Sequence, residues 1–279
     1  MAGVLQDVAF AKINLALHVR EREADGYHRI ETLFAFAEDG DRVEVAPAEA
    51  LTLATRGPFS AELGEDNLVL RAAALRRDHY GISAGAALTL EKNLPVASGL
   101  GGGSADAAAA LRLLTRCWGL EIDEARLIDL ARLLGADVAA CLRSETARGE
   151  GRGDRLVSQD GSGLAGMPLL LVNPGFPVST SAVFENWDGI DRGPLAIASP
   201  LASALEGRND LEAPACALVP EIRDVLQALA HAPGASLARM SGSGATCFAL
   251  FEGKEDRDQA FETIAASQPG WWQLRTRIR

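Results

Sequence analysis

From Val8 to Val19 the apolar residues fall at near-alternating positions, broken by Lys12 and Asn14, which is the period of a half-buried β-strand. Ala24-Asp-Gly-Tyr27 reads as a turn after it. Arg29–Ala37 and Arg42–Ala46 read as two more strands joined by an Asp39-Gly-Asp41 turn, and Leu51–Thr55 as a weaker one. The period then lengthens: Asn67–Tyr80 has helical spacing and is closed by Gly81. Ala86–Lys92 returns to strand and ends before Pro95. Ser98-Gly-Leu-Gly-Gly-Gly-Ser104 follows, running directly into an Ala-rich helix with Ser104 as its expected N-cap. Asp123–Leu134 is a second helix, Gly149–Gly153 a turn-rich interruption, and Pro168–Asn173 a short buried-type strand. Glu221–His231 reads as an amphipathic helix, Arg239–Phe251 as a hairpin around Ser241-Gly-Ser-Gly244, Asp256–Ser267 as a helix and Trp271–Ile278 as a last strand. Strands and helices in this irregular order predict an α+β fold, not a regular βαβ array. Gly and Ser are dense between Asp154 and Asn173, which places a seam there and divides the chain into 1–160 and 161–279.

Composition narrows the function. The 279 residues suffice for a sizeable core and one or two domains. With 48% hydrophobic and 23% charged residues, wholesale disorder is excluded. Lys plus Arg number 27 against 38 Asp plus Glu, a formal net charge of −11, so the chain repels a phosphate backbone and no nucleic-acid partner is expected. A small phosphorylated ligand remains compatible, because a few local donors hold one. Apolar runs such as Met167–Val172 fall far short of the roughly 20 residues of a spanning helix, so no membrane partner is expected. The opening Met1-Ala-Gly-Val-Leu-Gln-Asp7 lacks a basic stretch followed by an apolar one, and a cytoplasmic location is expected. Cys117, Cys141, Cys216 and Cys247 lie scattered in apolar sequence, and the four histidines form no ligand spacing with them, so buried reduced thiols are expected and no dedicated metal site. The composition fits a monomer or a homodimer.

The strongest chemical signal is Gly99-Leu-Gly-Gly-Gly-Ser104 before a helix. Glycines let backbone N–H groups approach a ligand closely, and a helix N-terminus adds unpaired N–H groups and a positive dipole end, which together suit phosphate. A flexible linker is the bland alternative, but a Pro-closed strand precedes the run and a helix follows without a gap. No Lys follows the last glycine, so this is not a Walker A loop. Ser104 stands where the dinucleotide fingerprint needs its third glycine. Lys12 inside an apolar strand is costly unless it snorkels or meets an anion, and Asn14 shares its face. Taken alone, Asp137 after Leu133-Leu-Gly-Ala reads as a turn or capping residue, and Tyr27 and His28 as packing at a strand start.

Nine stretches together carry a resemblance: Ala11-Lys-Ile-Asn-Leu15, Asp25-Gly-Tyr-His28, Glu31-Thr-Leu-Phe34, Asn67-Leu-Val-Leu-Arg-Ala72, Lys92-Asn-Leu-Pro95, Gly99–Ser104, Leu134-Gly-Ala-Asp137, Asn209-Asp-Leu-Glu212 and Met240-Ser-Gly-Ser-Gly-Ala245. In that order, over nearly the whole chain, they resemble the galactokinase/homoserine kinase/mevalonate kinase/phosphomevalonate kinase superfamily. Within it they resemble the family that phosphorylates 4-diphosphocytidyl-2-C-methyl-D-erythritol. The glycine loop and the Ser-Gly-Ser-Gly turn are superfamily features. Asp-Gly-Tyr-His beside Glu-Thr-Leu-Phe, with Asn-Asp-Leu-Glu, looks specific to the one family.

The resemblance implies a two-domain small-molecule kinase fold with the active site in the interdomain cleft, ATP on the 1–160 side and a cytidine diphosphate-linked methylerythritol on the 161–279 side. It implies that Asp137 accepts the proton of the C2 hydroxyl and that Lys12 favours the developing alkoxide and holds Asp137 ionised. Pro95, Val96, Ala97, Ser98, Gly99, Leu100, Gly101, Gly102, Gly103, Ser104 and Ala105 would wrap the ATP phosphates, with Asn67, Leu68 and Lys92 completing the nucleotide site. Asn14 would bond the erythritol, Tyr27 and Phe184 would sandwich the cytosine, His28 would read its edge, and Thr180 would also lie on the substrate side. Mg²⁺ is expected to arrive with ATP. Phe10 stands where a proline commonly precedes Ala-Lys, and Ala105 replaces a second serine, so one hydroxyl donor is absent. The alternatives are another kinase of the superfamily, which would lack Asp-Gly-Tyr-His, and a non-catalytic nucleotide-binding relative, against which both Lys12 and Asp137 argue.

Overall fold

The computed structural model describes residues 3–64, 66–121 and 123–279. The chain opens with two long strands, β1 (Leu5–Arg22) and β2 (His28–Ala48), followed by β3 (Leu51–Arg56). Then come α1 (Leu68–His79), β4 (Gly85–Glu91), α2 (Gly102–Cys117), α3 (Glu124–Leu134) and α4 (Ala136–Arg143). The second half contains β5 (Ala147–Gly151), β6 (Arg155–Ser158), β7 (Pro168–Asn173), α5 (Thr180–Glu185), α6 (Pro200–Glu206), α7 (Glu212–Leu218) and α8 (Glu221–Ala230). It closes with β8 (Ala235–Met240), β9 (Cys247–Phe251), α9 (Lys254–Ser267) and β10 (Trp272–Arg277).

The chain packs as two compact units, and neither is a continuous stretch. The first unit comprises 1–11, 39–96 and 101–144; the second comprises 12–38, 97–100 and 145–279. The expected split at residue 160 follows the chain, whereas this division follows packing, because β1 and β2 each supply residues to both units.

In the first unit, β4 pairs antiparallel with Arg42–Ala48 of β2 and parallel with β3. α1 packs on α2, α2 on α4, and α3 on α4. Asn67 caps α1 by accepting the Val69 N–H at 2.8 Å, and Asp123 caps α3 from the Arg126 N–H at 3.1 Å, as their residue types favour. In the second unit, β2 pairs antiparallel with β5 through Ile30–Phe34, and β5 with β6. A four-stranded antiparallel sheet has the order β10-β7-β9-β8, with α8 against β8 and β9 and α9 against β7, β9 and β10. Its core gathers Leu170, Val172, Val225, Leu229, Ala249 and Phe251 with Leu17 and Val19 of β1, all buried.

Four local expectations are corrected. Asp39-Gly-Asp41 is not a turn: β2 runs through it unbroken. Gly40 lies flat against β1, where a Cβ would stand 1.9 Å from the Ala9 carbonyl oxygen, and Asp41 is fully buried in polar contacts described below. Ser104 is not the cap of α2. Gly101 takes that position in the left-handed conformation (φ 61°), and Ser104 lies in the first turn. Gly149 is strand, paired with Thr32 and Leu156, because a bare backbone is needed beside the Phe34 ring, 2.6 Å from where a Cβ would be. Asp137 lies within the first turn of α4, a helix the spacing did not reveal. The four cysteines are free thiols, with Cys117 half-buried and the others buried.

Candidate active site

Lys12 and Asn14 share a face of β1, as the period of two requires. Lys12 is buried, donates from Nζ to Asn14 Oδ1 at 2.9 Å, and stands 4.9 Å from the Phe34 ring centroid. Asn14 Nδ2 donates to Thr32 Oγ1 at 2.8 Å, and that hydroxyl donates to the Ala16 carbonyl at 2.7 Å. This chain of bonds fixes the Asn14 amide with its oxygen toward the ammonium. Thr32 was not singled out in the sequence, although it belongs to the Glu31-Thr-Leu-Phe run.

Two loops noted separately in the sequence meet in this unit. Ser241 Oγ donates to the Gly99 carbonyl at 2.9 Å, Thr246 N–H to the Ser98 carbonyl at 3.0 Å, and Lys12 N–H to the Leu100 carbonyl at 2.9 Å. Gly99 (φ 79°) leaves no room for a side chain, since a Cβ would stand 2.3 Å from the Ser241 carbonyl oxygen. Asn14 N–H donates to Ser241 Oγ at 3.2 Å. Asn209 Nδ2 ties the same loop by donating to the Met240 and Gly242 carbonyls, both at 2.8 Å. Thr180 Oγ1 lies 2.9 Å from Ser243 Oγ, so this predicted substrate-side residue also joins the loop. Ala97, at the other end of the glycine run, takes a positive φ of 50°, a costly conformation for a residue with a Cβ.

The remainder of the glycine run belongs to the first unit. Gly101 turns the chain, and the N–H groups that open α2 at Gly102, Gly103 and Ser104 precede the first intrahelical bond, Ala105 N–H to the Gly101 carbonyl at 2.9 Å. This is the geometry of an anion cradle. Leu68 opens α1 close to Gly103, with 3.6 Å from its Cδ1 to where a Cβ would be. Asp137 sits at the N-terminal end of α4, in its first turn.

Lys92 is buried in a cluster that the sequence did not reveal. Its Nζ donates to Asp41 Oδ2 at 2.5 Å and to Asp106 Oδ2 at 2.8 Å. Asp41 Oδ1 accepts the Asn93 and Leu94 N–H groups at 2.6 and 2.8 Å. Burial, reinforced by the Asp41 charge and opposed by Lys92, pushes the Asp106 carboxyl up to about 8. Burial works against the Lys92 ammonium, but the two carboxylates outweigh it and hold its pKa above the ordinary value.

The aromatic group is in the second unit. His28 is buried, 5.0 Å from the Phe184 ring in a tilted contact and 5.7 Å from Trp187 edge-on. Burial, with help from the Arg22 charge, lowers its pKa, so the imidazole is neutral near pH 7. Tyr27 is 58% exposed, and the Arg152 guanidinium lies 3.9 Å over its ring. Trp187 carried no signal in the sequence reading. Among the described residues no three His, Cys, Asp or Glu side chains gather into a metal site, and no helix is long and apolar enough to cross a membrane.

Residues 67–145 match the profile of the GHMP kinases N terminal domain, and residues 195–269 that of the GHMP kinases C terminal domain. The structure is also similar to a homoserine kinase from Cytophaga hutchinsonii (TM-score 0.70, 18% identity, covering 100% of this chain and 96% of that one). Fold and site together place the chain among the GHMP kinases, α+β proteins of two units. A 4-diphosphocytidyl-2-C-methyl-D-erythritol kinase from Rhizorhabdus wittichii is 58% identical over 98% of this chain and 94% of its own length, and one from Sphingopyxis alaskensis is 51% identical over the whole of both. A crystal structure of 4-(cytidine 5'-diphospho)-2C-methyl-D-erythritol kinase matches with a TM-score of 0.82 and 36% identity, covering 98% of this chain and 99% of that one. The chain belongs to the 4-diphosphocytidyl-2-C-methyl-D-erythritol kinase family.

Proposed function

We propose that this chain transfers the γ-phosphoryl group of ATP to the C2 hydroxyl of 4-diphosphocytidyl-2-C-methyl-D-erythritol, a step of the non-mevalonate route to isoprenoid precursors. Full-length likeness to kinases of that name supports the reaction. His28 is the observation that carries the substrate. It is a buried neutral imidazole held between Phe184 and Trp187 by ring contacts, and among the described residues no hydrogen bond ties its nitrogens. One ring nitrogen donates and the other accepts, so the ring has either kind of bond to offer to a polar atom on the cytosine edge. Tyr27, with one face under Arg152, offers an exposed ring to stack on the base, and Phe184 lies beside His28.

In this reading the N–H groups that open α2, with Pro95–Ala105, hold the ATP phosphates, and Asn67 and Leu68 line the adenine side. Lys92 supports that site from beneath Gly102, where a Cβ would meet its Nζ at 2.8 Å. Asp137 takes or orients the hydroxyl proton. Lys12, oriented by Asn14, stabilises the oxyanion. Asn14 and Thr180 contact the methylerythritol part. Phosphoryl transfer needs positioning and charge neutralisation more than covalent help. Mg²⁺ carried on the ATP phosphates supplies part of that neutralisation, and no residue of this chain is assigned to it. The protein works in the cytoplasm as a monomer or homodimer, without nucleic-acid or membrane partners.

The test is ADP release from purified protein with ATP and a panel of alcohols. Release with the cytidylated methylerythritol alone is the expected result. Equal turnover of homoserine or mevalonate, or none with any alcohol, overturns the reading.

A further inference from the structure

Asp41 is fully buried on a strand, far in sequence from the glycine run, yet every acceptor it has is engaged with the segment that leads into that run. One carboxylate oxygen takes two consecutive backbone N–H groups, of Asn93 and Leu94, while the other takes the Lys92 ammonium. Lys92 passes the connection on to Asp106, one turn into α2. The ammonium also fills the space beneath Gly102, so the first residue of α2 rests on it with no room for a side chain. The Lys92 backbone is held as well: its N–H donates to the Arg56 carbonyl at 2.8 Å, and its carbonyl accepts from Phe59 at 3.2 Å. The turn at 92–94 and the opening of α2 are thus joined through one side chain.

We propose that Asp41 is a positioning residue for phosphoryl transfer: it fixes the Lys92–Leu94 turn and presents the Lys92 ammonium to the first turn of α2, setting the N–H groups that receive the ATP phosphates. The inference rests on the reading of the α2 N-terminus as the phosphate site. It assigns Lys92 a role through Asp41 and Asp106 rather than a direct bond to phosphate, since its ammonium already donates to both side chains.

Asp41→Asn keeps an acceptor for the two backbone N–H groups and removes the charge that draws Lys92. Its KM for ATP should rise about tenfold or more, while kcat at saturating ATP and the KM for the cytidylated substrate stay within about twofold. A residue serving stability alone would lower the melting temperature without dividing the two substrates in this way. A second readout is the pH profile of KM for ATP. Asp106 titrates near 8 in part because of the Asp41 charge, with Lys92 the other charge facing it. In the variant, the Asp106 transition should move to lower pH.

Should Asp41→Asn be insoluble, Lys92→Gln breaks the same pair from the other end and should give the same selective loss of ATP affinity. Gly101→Val serves as the control for the phosphate site. If Gly101→Val weakens ATP and neither charge variant does, Asp41 has no positioning role and the phosphate site stands. If none of the three weakens ATP, the phosphate reading falls and this inference with it. Equal loss of both substrates in step with the melting temperature also overturns it.

Discussion

Asp137 is placed on the first turn of a helix of its own. Asp137→Asn preserves size and hydrogen bonding but removes the proton acceptor. We expect kcat to fall by about 10²–10⁴-fold, the range for an acid–base residue, with nucleotide binding retained. Steady-state kinetics beside calorimetry checks it, and a near-normal kcat removes Asp137 from the chemistry. Tyr27 is tested separately. At 58% exposed it does not pack in the core, and Arg152 covers one of its faces. Base–aromatic stacking contributes about 1–3 kcal/mol, so Tyr27→Ala should weaken the cytidylated substrate by roughly 5- to 150-fold and leave ATP affinity and melting temperature unchanged. Parallel loss of all three contradicts the base-stacking role. Both residues were singled out in the sequence through the family motifs they stand in. Trp187 was not, because a tryptophan between Asn186 and Asp188 has no pattern until α5 brings it to His28.

At the scale of elements, glycine decides where strands approach and where helices begin. Gly40→Ala would set a Cβ 1.9 Å from one backbone atom and 2.7 Å from another, both belonging to Ala9. Backbone yields less readily than a side chain, so the cost should reach or exceed the top of the usual overpacking range, about 1–3 kcal/mol. A lowered urea midpoint with an unchanged slope is the expected result. Wild-type stability would mean the strands lie farther apart. At the start of α2, Gly101→Val introduces a branched residue at φ 61° and should raise the Kd for ATP while the chain stays folded. Unchanged affinity by calorimetry would make this loop a structural turn. Elements with a clear apolar pattern were legible, as β7 and α8 were within a residue. Short helices were not. α5, α6 and α7 have six or seven residues each, under two full turns; Ser179 and Ser199 cap the first two, α7 has no side-chain cap, and spacing alone marks none of them. Asp39-Gly-Asp41 misled for a different reason: its turn-forming residues serve a buried charge and a close strand contact, and both depend on partners distant in sequence.

On the scale of the molecule, acid stability has a readable component in His18. Its Nδ1 lies 3.2 Å from the Gly193 carbonyl, and its Nε2 accepts the Arg208 N–H at 3.2 Å, an arrangement only the neutral ring supports. Burial, then the Arg208 charge, lowers its pKa below 6.5. The unfolded chain therefore binds more protons below that pH. The stability due to neutral His18 is complete above pH 6.5 and is lost as pH falls through its lowered folded value. The unfolding free energy of wild type minus that of His18→Gln should be flat above pH 6.5 and decline below it. A difference that stays flat through pH 5 would contradict the neutral assignment. The α+β class was legible because element order alone carries it, whereas the division into units was not. Two strands that each serve both units have the same alternating pattern as strands that serve one.

Those shared strands have a consequence for how the protein is made. Residues 12–38 are translated well before the other large part of their unit, 145–279. At about 5–20 residues per second, the intervening residues 39–144 take roughly 5–20 s to appear. During that interval the first unit can gather its segments, while Leu17 and Val19 wait for the core residues of 145–279 that will bury them. An apolar strand left waiting is a template for the wrong neighbour. In the cell, nascent-chain binding factors therefore have a clear task on this strand, which is made long before the residues that complete its unit.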